Sequence, residues 1–75
     1  MVYFKVTVNH VRYFEAPSKD APSTHVATKF EGDPHPYLTF WDEKNQPSLN
    51  KQSEVSGGAC TEMTEELFYT EVCFS

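Results

Sequence analysis

The feature that most constrains the fold is an alternation of apolar and polar side chains over residues 2–8. A period of two is typical of a β-strand that buries one face, because successive side chains of a strand point to opposite sides. The sequence therefore predicts an opening strand whose apolar residues enter the core. These apolar residues are Val2, Phe4, Val6 and Val8.

The apolar register changes directly after this strand. Beyond Asn9 and His10 the apolar positions are Val11, Tyr13 and Phe14. This shift fits either a bulge in one long bent strand or a tight turn into a second strand. Because Asn-His lacks the glycine of a good two-residue hairpin turn, the single bent strand is favoured.

The middle of the chain alternates between loops and short strands. Two prolines and several small polar residues in 16–24 predict a surface loop, and 25–30 again alternate as a strand does. After a Gly and Pro-rich corner, a third strand is expected over residues 37–41. The polar stretch 42–53 shows no apolar period, which predicts a long exposed loop.

The last third is predicted to be mainly extended. Gly57 and Gly58 suit a hairpin turn between short strands at 54–56 and 59–62, since glycine adopts positive φ freely. Residues 67–74 are predicted to form a closing strand with apolar groups on both faces.

These segments together predict an all-β fold in a single domain spanning residues 1–75. We expect a small antiparallel sandwich or a partly open barrel of five to six short strands. At most one short helical turn is expected, within residues 61–66, where Glu and Met favour helix.

No arrangement of residues typical of an enzyme is present. A Gly-X-Ser-X-Gly motif is absent, and neither Cys60 nor Cys73 has a flanking signature of a catalytic thiol. The adjacent carboxylates of Glu65 and Glu66 would point to opposite faces of an extended chain, so they could not share a proton. The sequence therefore predicts no catalytic residue.

The sequence also argues against a metal or a cofactor. His10, His25, Asp33 and His35 are suitable ligand types, but their spacing matches no known zinc pattern. We therefore expect neither a metal site nor a cofactor.

Acidic residues concentrate in the second half of the chain. Residues 1–37 hold four basic and four acidic side chains, whereas residues 38–75 hold two basic and seven acidic. The formal net charge of −5 therefore belongs to the second half. With six Lys and Arg against eleven acids in the whole chain, direct binding of nucleic acid is disfavoured.

The same half also carries large rings, which indicates a binding surface. Opposed charge steers two proteins together, and a few buried rings hold the complex. The sequence thus predicts a small acidic protein-binding module. Its partner would be a protein with a basic surface, and the module would act as a viral or phage-type inhibitor that occupies a nucleic-acid-binding groove. The predicted contact residues are Trp41, Asp42, Glu43, Glu65, Glu66, Tyr69 and Glu71.

The alternative is a non-catalytic adaptor or structural β domain. In that case the aromatic residues form a core or a homodimer interface, and the net charge only maintains solubility. Salt distinguishes the two, because an ionic complex weakens as ionic strength rises while an apolar self-interface does not.

Cellular location is predicted from segments that the sequence lacks. The N-terminus has no basic leader with an apolar core, and no stretch approaches the roughly 20 apolar residues of a membrane span. A cytoplasmic protein with no membrane partner is expected, in the host cytoplasm if the chain is viral. Cys60 and Cys73 could form a disulfide, but a cytosolic setting favours reduced thiols.

Overall fold

The computed structural model describes residues 1–39 and 45–73. Within these ranges the chain forms one open antiparallel sheet of six strands and two short helices. The strands are β1 (Val2–Val8), β2 (His10–Ala16), β3 (Ser23–Lys29), β4 (Tyr37–Leu38), β5 (Asn45–Gln46) and β6 (Cys60–Met63), and the helices are α1 (Leu49–Ser56) and α2 (Glu65–Cys73).

The sheet has the strand order β4-β3-β2-β1-β6, and β5 also pairs with β3. Every pairing in it is antiparallel. The prediction of an all-β fold is confirmed in part, because the chain is mostly β and its six strands are antiparallel as expected. The described strands form a single open sheet covered by helices, where a small sandwich or a partly open barrel was expected.

The first two strands form a hairpin, so the predicted single bent strand is wrong. Val8 pairs with His10 across Asn9, which takes a left-handed conformation with φ of 66°. Asn is one of the few non-glycine residues that adopt this conformation readily, because its short polar side chain can bond locally. Asn9 thus makes the turn without the glycine that we expected.

Both faces of the sheet are buried, each against one helix. One cluster joins the sheet to α2, and the other joins it to α1. The α2 cluster contains Tyr3, Tyr13, Ala27, Met63, Phe68 and Val72, and the α1 cluster contains Phe4, Val6, Phe14 and Leu49.

Two positions of β1 differ from the prediction. Tyr3, expected on the solvent side, is 4% exposed because α2 covers its face. Val8, expected in the core, is 51% exposed. It lies next to the Asn9 turn, outside both core clusters.

Helix α1 replaces part of the predicted exposed loop and the predicted strand at 54–56. The Ser48 hydroxyl caps its N-terminus by accepting a hydrogen bond from the Lys51 backbone N–H at 3.3 Å. Gly57 ends the helix in the left-handed conformation, with φ of 62°. The glycine pair therefore terminates a helix, and the hairpin expected there does not form.

Helix α2 replaces the predicted closing strand at 67–74. The Thr64 hydroxyl accepts a hydrogen bond from the Leu67 backbone N–H at 3.2 Å. Phe68 and Val72 lie four residues apart and are both buried, as one face of a helix requires. The prediction of at most one helical turn is therefore wrong. Within the described part of the chain, neither helix is long and apolar enough to cross a membrane.

Candidate functional site

Helix α2 carries four of the seven predicted contact residues, namely Glu65, Glu66, Tyr69 and Glu71. The other three, Trp41, Asp42 and Glu43, lie outside the described residues. The candidate site is therefore built on α2 and on the sheet face beneath it.

Aromatic packing anchors α2 to the sheet. The ring of Phe68 lies 4.5 Å from that of Tyr3 and 6.4 Å from that of Tyr13, between ring centroids. Phe68 is 2% exposed, and Val72 is buried one turn later. Burying such side chains stabilises the fold by about 1.5–3 kcal/mol each, so these two residues hold α2 against the sheet.

The outer side of α2 combines carboxylates with apolar groups. Glu65 and Glu66 are exposed in its first turn, where the helix dipole favours negative charge. Leu67 is 47% exposed and Tyr69 is 45% exposed. The Tyr69 ring also lies 5.7 Å from the rings of both Tyr3 and Phe68, which restricts its orientation.

Glu71 has a different environment from the other acids of α2. It is half-buried, and its Oε1 atom lies 3.5 Å from Nζ of Lys5. The same oxygen accepts a hydrogen bond of 3.0 Å from the Tyr13 hydroxyl. Its charge is thus compensated by the sheet, and Glu71 links α2 to β1 and β2.

The ion pairs of the described residues show which acidic side chains are compensated by a lysine. Besides the pair of Lys5 with Glu71, Nζ of Lys19 lies 3.5 Å from Oε1 of Glu62. Glu65 and Glu66 take part in no ion pair within residues 1–39 and 45–73. The exposed negative charge of α2 therefore comes from these two carboxylates.

The tyrosines beneath α2 act as donors. Burial, followed by the hydrogen bond to Glu71, raises the pKa of Tyr13 to about 12. A hydrogen bond with Tyr69 is the main cause that raises the pKa of Tyr3, and burial and Glu65 add to it. Both hydroxyls stay protonated at neutral pH, and Tyr3 donates to Glu65 at 3.3 Å.

One of the two cysteines, Cys60, lies on β6 at the edge of the sheet. Burial raises the pKa of the Cys60 thiol, which disfavours the reactive thiolate. Cys60 and Cys73 are both free thiols. Among the residues that the structure describes, no three or more His, Cys, Asp or Glu side chains gather where they could hold a metal ion.

Sequence reasoning did not include Leu67 or Tyr3 in this site. The strand assignment gave Leu67 no special place, and it put Tyr3 on the solvent side. The spacing of Phe68 and Val72, together with Thr64 before two acidic residues, is the signal that would have indicated a helix start here.

Comparison of the chain with protein-family models, with curated proteins and with solved structures finds no match.

Proposed function

We propose that this protein is a small non-catalytic binding module that docks on a basic surface of another protein. It uses the α2 face, defined here as the solvent-exposed surface of the helix formed by Glu65, Glu66, Leu67 and Tyr69, with Leu67 and Tyr69 on opposite flanks. One observation carries this proposal. The same short helix presents two carboxylates that take part in no described ion pair and two apolar side chains that are nearly half exposed.

Charge and apolar contact have separate roles in this proposal. The carboxylates of Glu65 and Glu66 attract a cationic partner over a Debye length, about 8–10 Å at ordinary salt. Leu67 and Tyr69 then lose their exposed area on contact, which slows dissociation. Because Phe68 fixes the helix on the sheet, little ordering is required on binding.

The size of α2 limits what it can do alone. Nine residues form a helix about 13 Å long, whereas a standard interface covers about 800 Å² on each partner. The α2 face would therefore form the centre of the interface, with neighbouring surface around it. A groove lined with Lys and Arg, such as one that binds nucleic acid, suits this shape and charge, and occupation of that groove would inhibit the partner.

Affinity capture with two charge-matched variants tests this proposal. The protein is immobilised, and bound proteins are identified after washing at about 50 mM and about 500 mM salt. We expect partners with basic grooves to be captured at low salt and lost at high salt. The double variant Glu65→Lys and Glu66→Lys should capture none of them.

The control variant is Glu31→Lys and Glu54→Lys. Both side chains are exposed and belong to other segments, Glu31 to the loop after β3 and Glu54 to α1, so this variant has the same net charge without altering the α2 face. It should capture the same partners as the native protein. Equal capture by both double variants would refute the α2 face. A salt-resistant dimer in light scattering, with no partner captured, would favour the adaptor alternative.

A further inference from the structure

A pocket of about 320 Å³ lies on the sheet face opposite to α2. Strand β2 contributes His10, Arg12 and Phe14 to it, and His25 and Thr28 of β3 line it from the next strand. Phe14 belongs to the core cluster of α1, which identifies the face. The described residues that line this pocket include no carboxylate, although the net charge of the chain is −5.

Arg12 supplies a positive charge that no described residue neutralises in an ion pair. Its Nε–H donates a hydrogen bond of 2.8 Å to Nε2 of His10, which orients the guanidinium. Within the described residues Arg12 takes part in no ion pair, in contrast to Lys5 and Lys19. A planar guanidinium held in this way can bind a phosphate or carboxylate through two parallel hydrogen bonds.

Aromatic rings flank Arg12 on both sides along the strand. The His10 and Phe30 rings stack at 5.4 Å with an angle of 27°, and the Phe14 and His25 rings lie 5.2 Å apart. Phe30 is 52% exposed, so part of its ring is open to a ligand. Stacking of a base on such a ring contributes about 1–3 kcal/mol to binding.

A β-bulge brings the polar groups of β3 to this face. Tyr13 pairs with Ala27, but the next residue, Phe14, pairs with His25, which leaves Val26 as the extra residue. The bulge therefore places His25 on the same face as Thr28, with Nε2 of His25 2.9 Å from the Thr28 hydroxyl. Bulges commonly re-aim a side chain in this way next to functional sites.

We propose that this pocket binds a free nucleotide, with its phosphate on Arg12 and its base against Phe30. Gln46, which also lines the pocket, supplies an amide for the sugar or the base edge. A volume near 300 Å³ is at the small end of ligand sites, which suits one nucleotide. The net charge of −5 opposes a long polyanion.

A second groove on the other face is not an equivalent candidate. It has a volume of about 370 Å³, and its lysines, Lys5 and Lys29, are accompanied by three acids. These acids are Glu31, Asp33 and Glu71. The acids outnumber the lysines there, so the groove offers no comparable attraction for an anion.

NMR titration of the ¹⁵N-labelled protein tests the proposal with three probes: adenosine 5′-monophosphate, adenosine and inorganic phosphate. We expect the monophosphate to bind more tightly than either of the others. Its binding should change the chemical shifts of the amide signals of Arg12, Thr28 and Gln46. Arg12→Gln should weaken the binding of the monophosphate about tenfold or more, as expected for the loss of the charge-assisted hydrogen bonds of the guanidinium. Lys51→Gln removes one exposed charge from α1, outside the pocket, and should leave the affinity unchanged.

Arg12→Lys keeps the charge but lacks the planar guanidinium. Its affinity for adenosine 5′-monophosphate should therefore lie between those of the native protein and Arg12→Gln. It also serves as the test if Arg12→Gln does not fold. Equal affinity in the native protein and the Arg12 variants would overturn the proposal, as would equal binding of adenosine and its monophosphate. Tighter binding of an oligothymidylate than of the monophosphate would overturn the assignment to a free nucleotide.

Discussion

At the scale of single residues, Tyr13 shows how one buried polar group joins two elements. It is 1% exposed, and its ring packs edge-on against Phe68 of α2. Its hydroxyl donates to Glu71, the carboxylate that also pairs with Lys5. A buried hydroxyl without a partner would be destabilising, so this bond accounts for the orientation of Glu71 toward the sheet.

The variant Tyr13→Phe should lower the free energy of unfolding by about 1 kcal/mol at neutral pH, because it removes this hydrogen bond. The folded-state pKa of about 12 lies above the value of about 10 for an unfolded tyrosine. The hydroxyl's contribution is therefore complete below pH 10 and is lost as pH rises toward 12. Urea unfolding of both proteins between pH 7 and 12 should show their stabilities converging above pH 10. A constant difference through pH 12 would contradict this account.

At the scale of elements, the two helices are attached with different strength. Helix α2 buries Phe68 and Val72 in a cluster that contains two tyrosines, whereas α1 buries only Leu49 among its described residues. A helix of eight residues is not stable by itself in water. The formation of α1 therefore depends more heavily on its caps, Ser48 and Gly57.

Gly57→Ala tests this dependence on the C-terminal cap. A Cβ at this position would meet no atom within 4 Å, so the cost comes from the left-handed backbone alone. We expect a loss of about 1 kcal/mol in the free energy of unfolding, measured by urea unfolding with circular dichroism. Val55→Ala, at a helix position that is 76% exposed, is the control and should change stability by less than about 0.5 kcal/mol. Equal effects of the two substitutions would exclude a capping role for Gly57.

At the scale of the whole molecule, one open sheet separates two candidate binding surfaces. The α2 face lies on the side of Tyr3 and Tyr13, and the Arg12 pocket lies on the side of Phe14. The acidic surface and the cationic pocket thus face different directions, which lets one small domain present both signs of charge.

This separation predicts that the two surfaces act independently. The Glu65→Lys and Glu66→Lys variant should bind adenosine 5′-monophosphate with the affinity of the native protein, and Arg12→Gln should capture the same partner proteins. Effects at distant sites without shared contacts are usually additive. Titration and capture on the triple variant should therefore show the sum of the separate losses. Loss of nucleotide binding in the α2 variant would mean that the two faces are coupled.

Much of the sheet could be predicted from local pattern, but the helices could not. The alternation of residues 2–8 predicted β1, and that of 25–30 predicted most of β3. Helix α1 has only Leu49 as a buried residue, so it leaves no apolar period in the sequence. The apolar residues of α2 fit a two-sided strand as well as a helix, and packing on Tyr3 and Tyr13 decided between them.

The sequence by itself determined the β character of the chain, the acidic excess of its second half and the local grouping of Glu65, Glu66 and Tyr69. These are properties of neighbouring residues. Only the tertiary structure decided which charges are compensated, because the partners of Glu62 and Glu71 lie on distant strands and loops. Only strand pairing with its bulge assembled the Arg12 pocket. Its residues come from β2, β3, β5 and, with Phe30, the loop after β3, and these segments meet through backbone hydrogen bonds that no local pattern encodes.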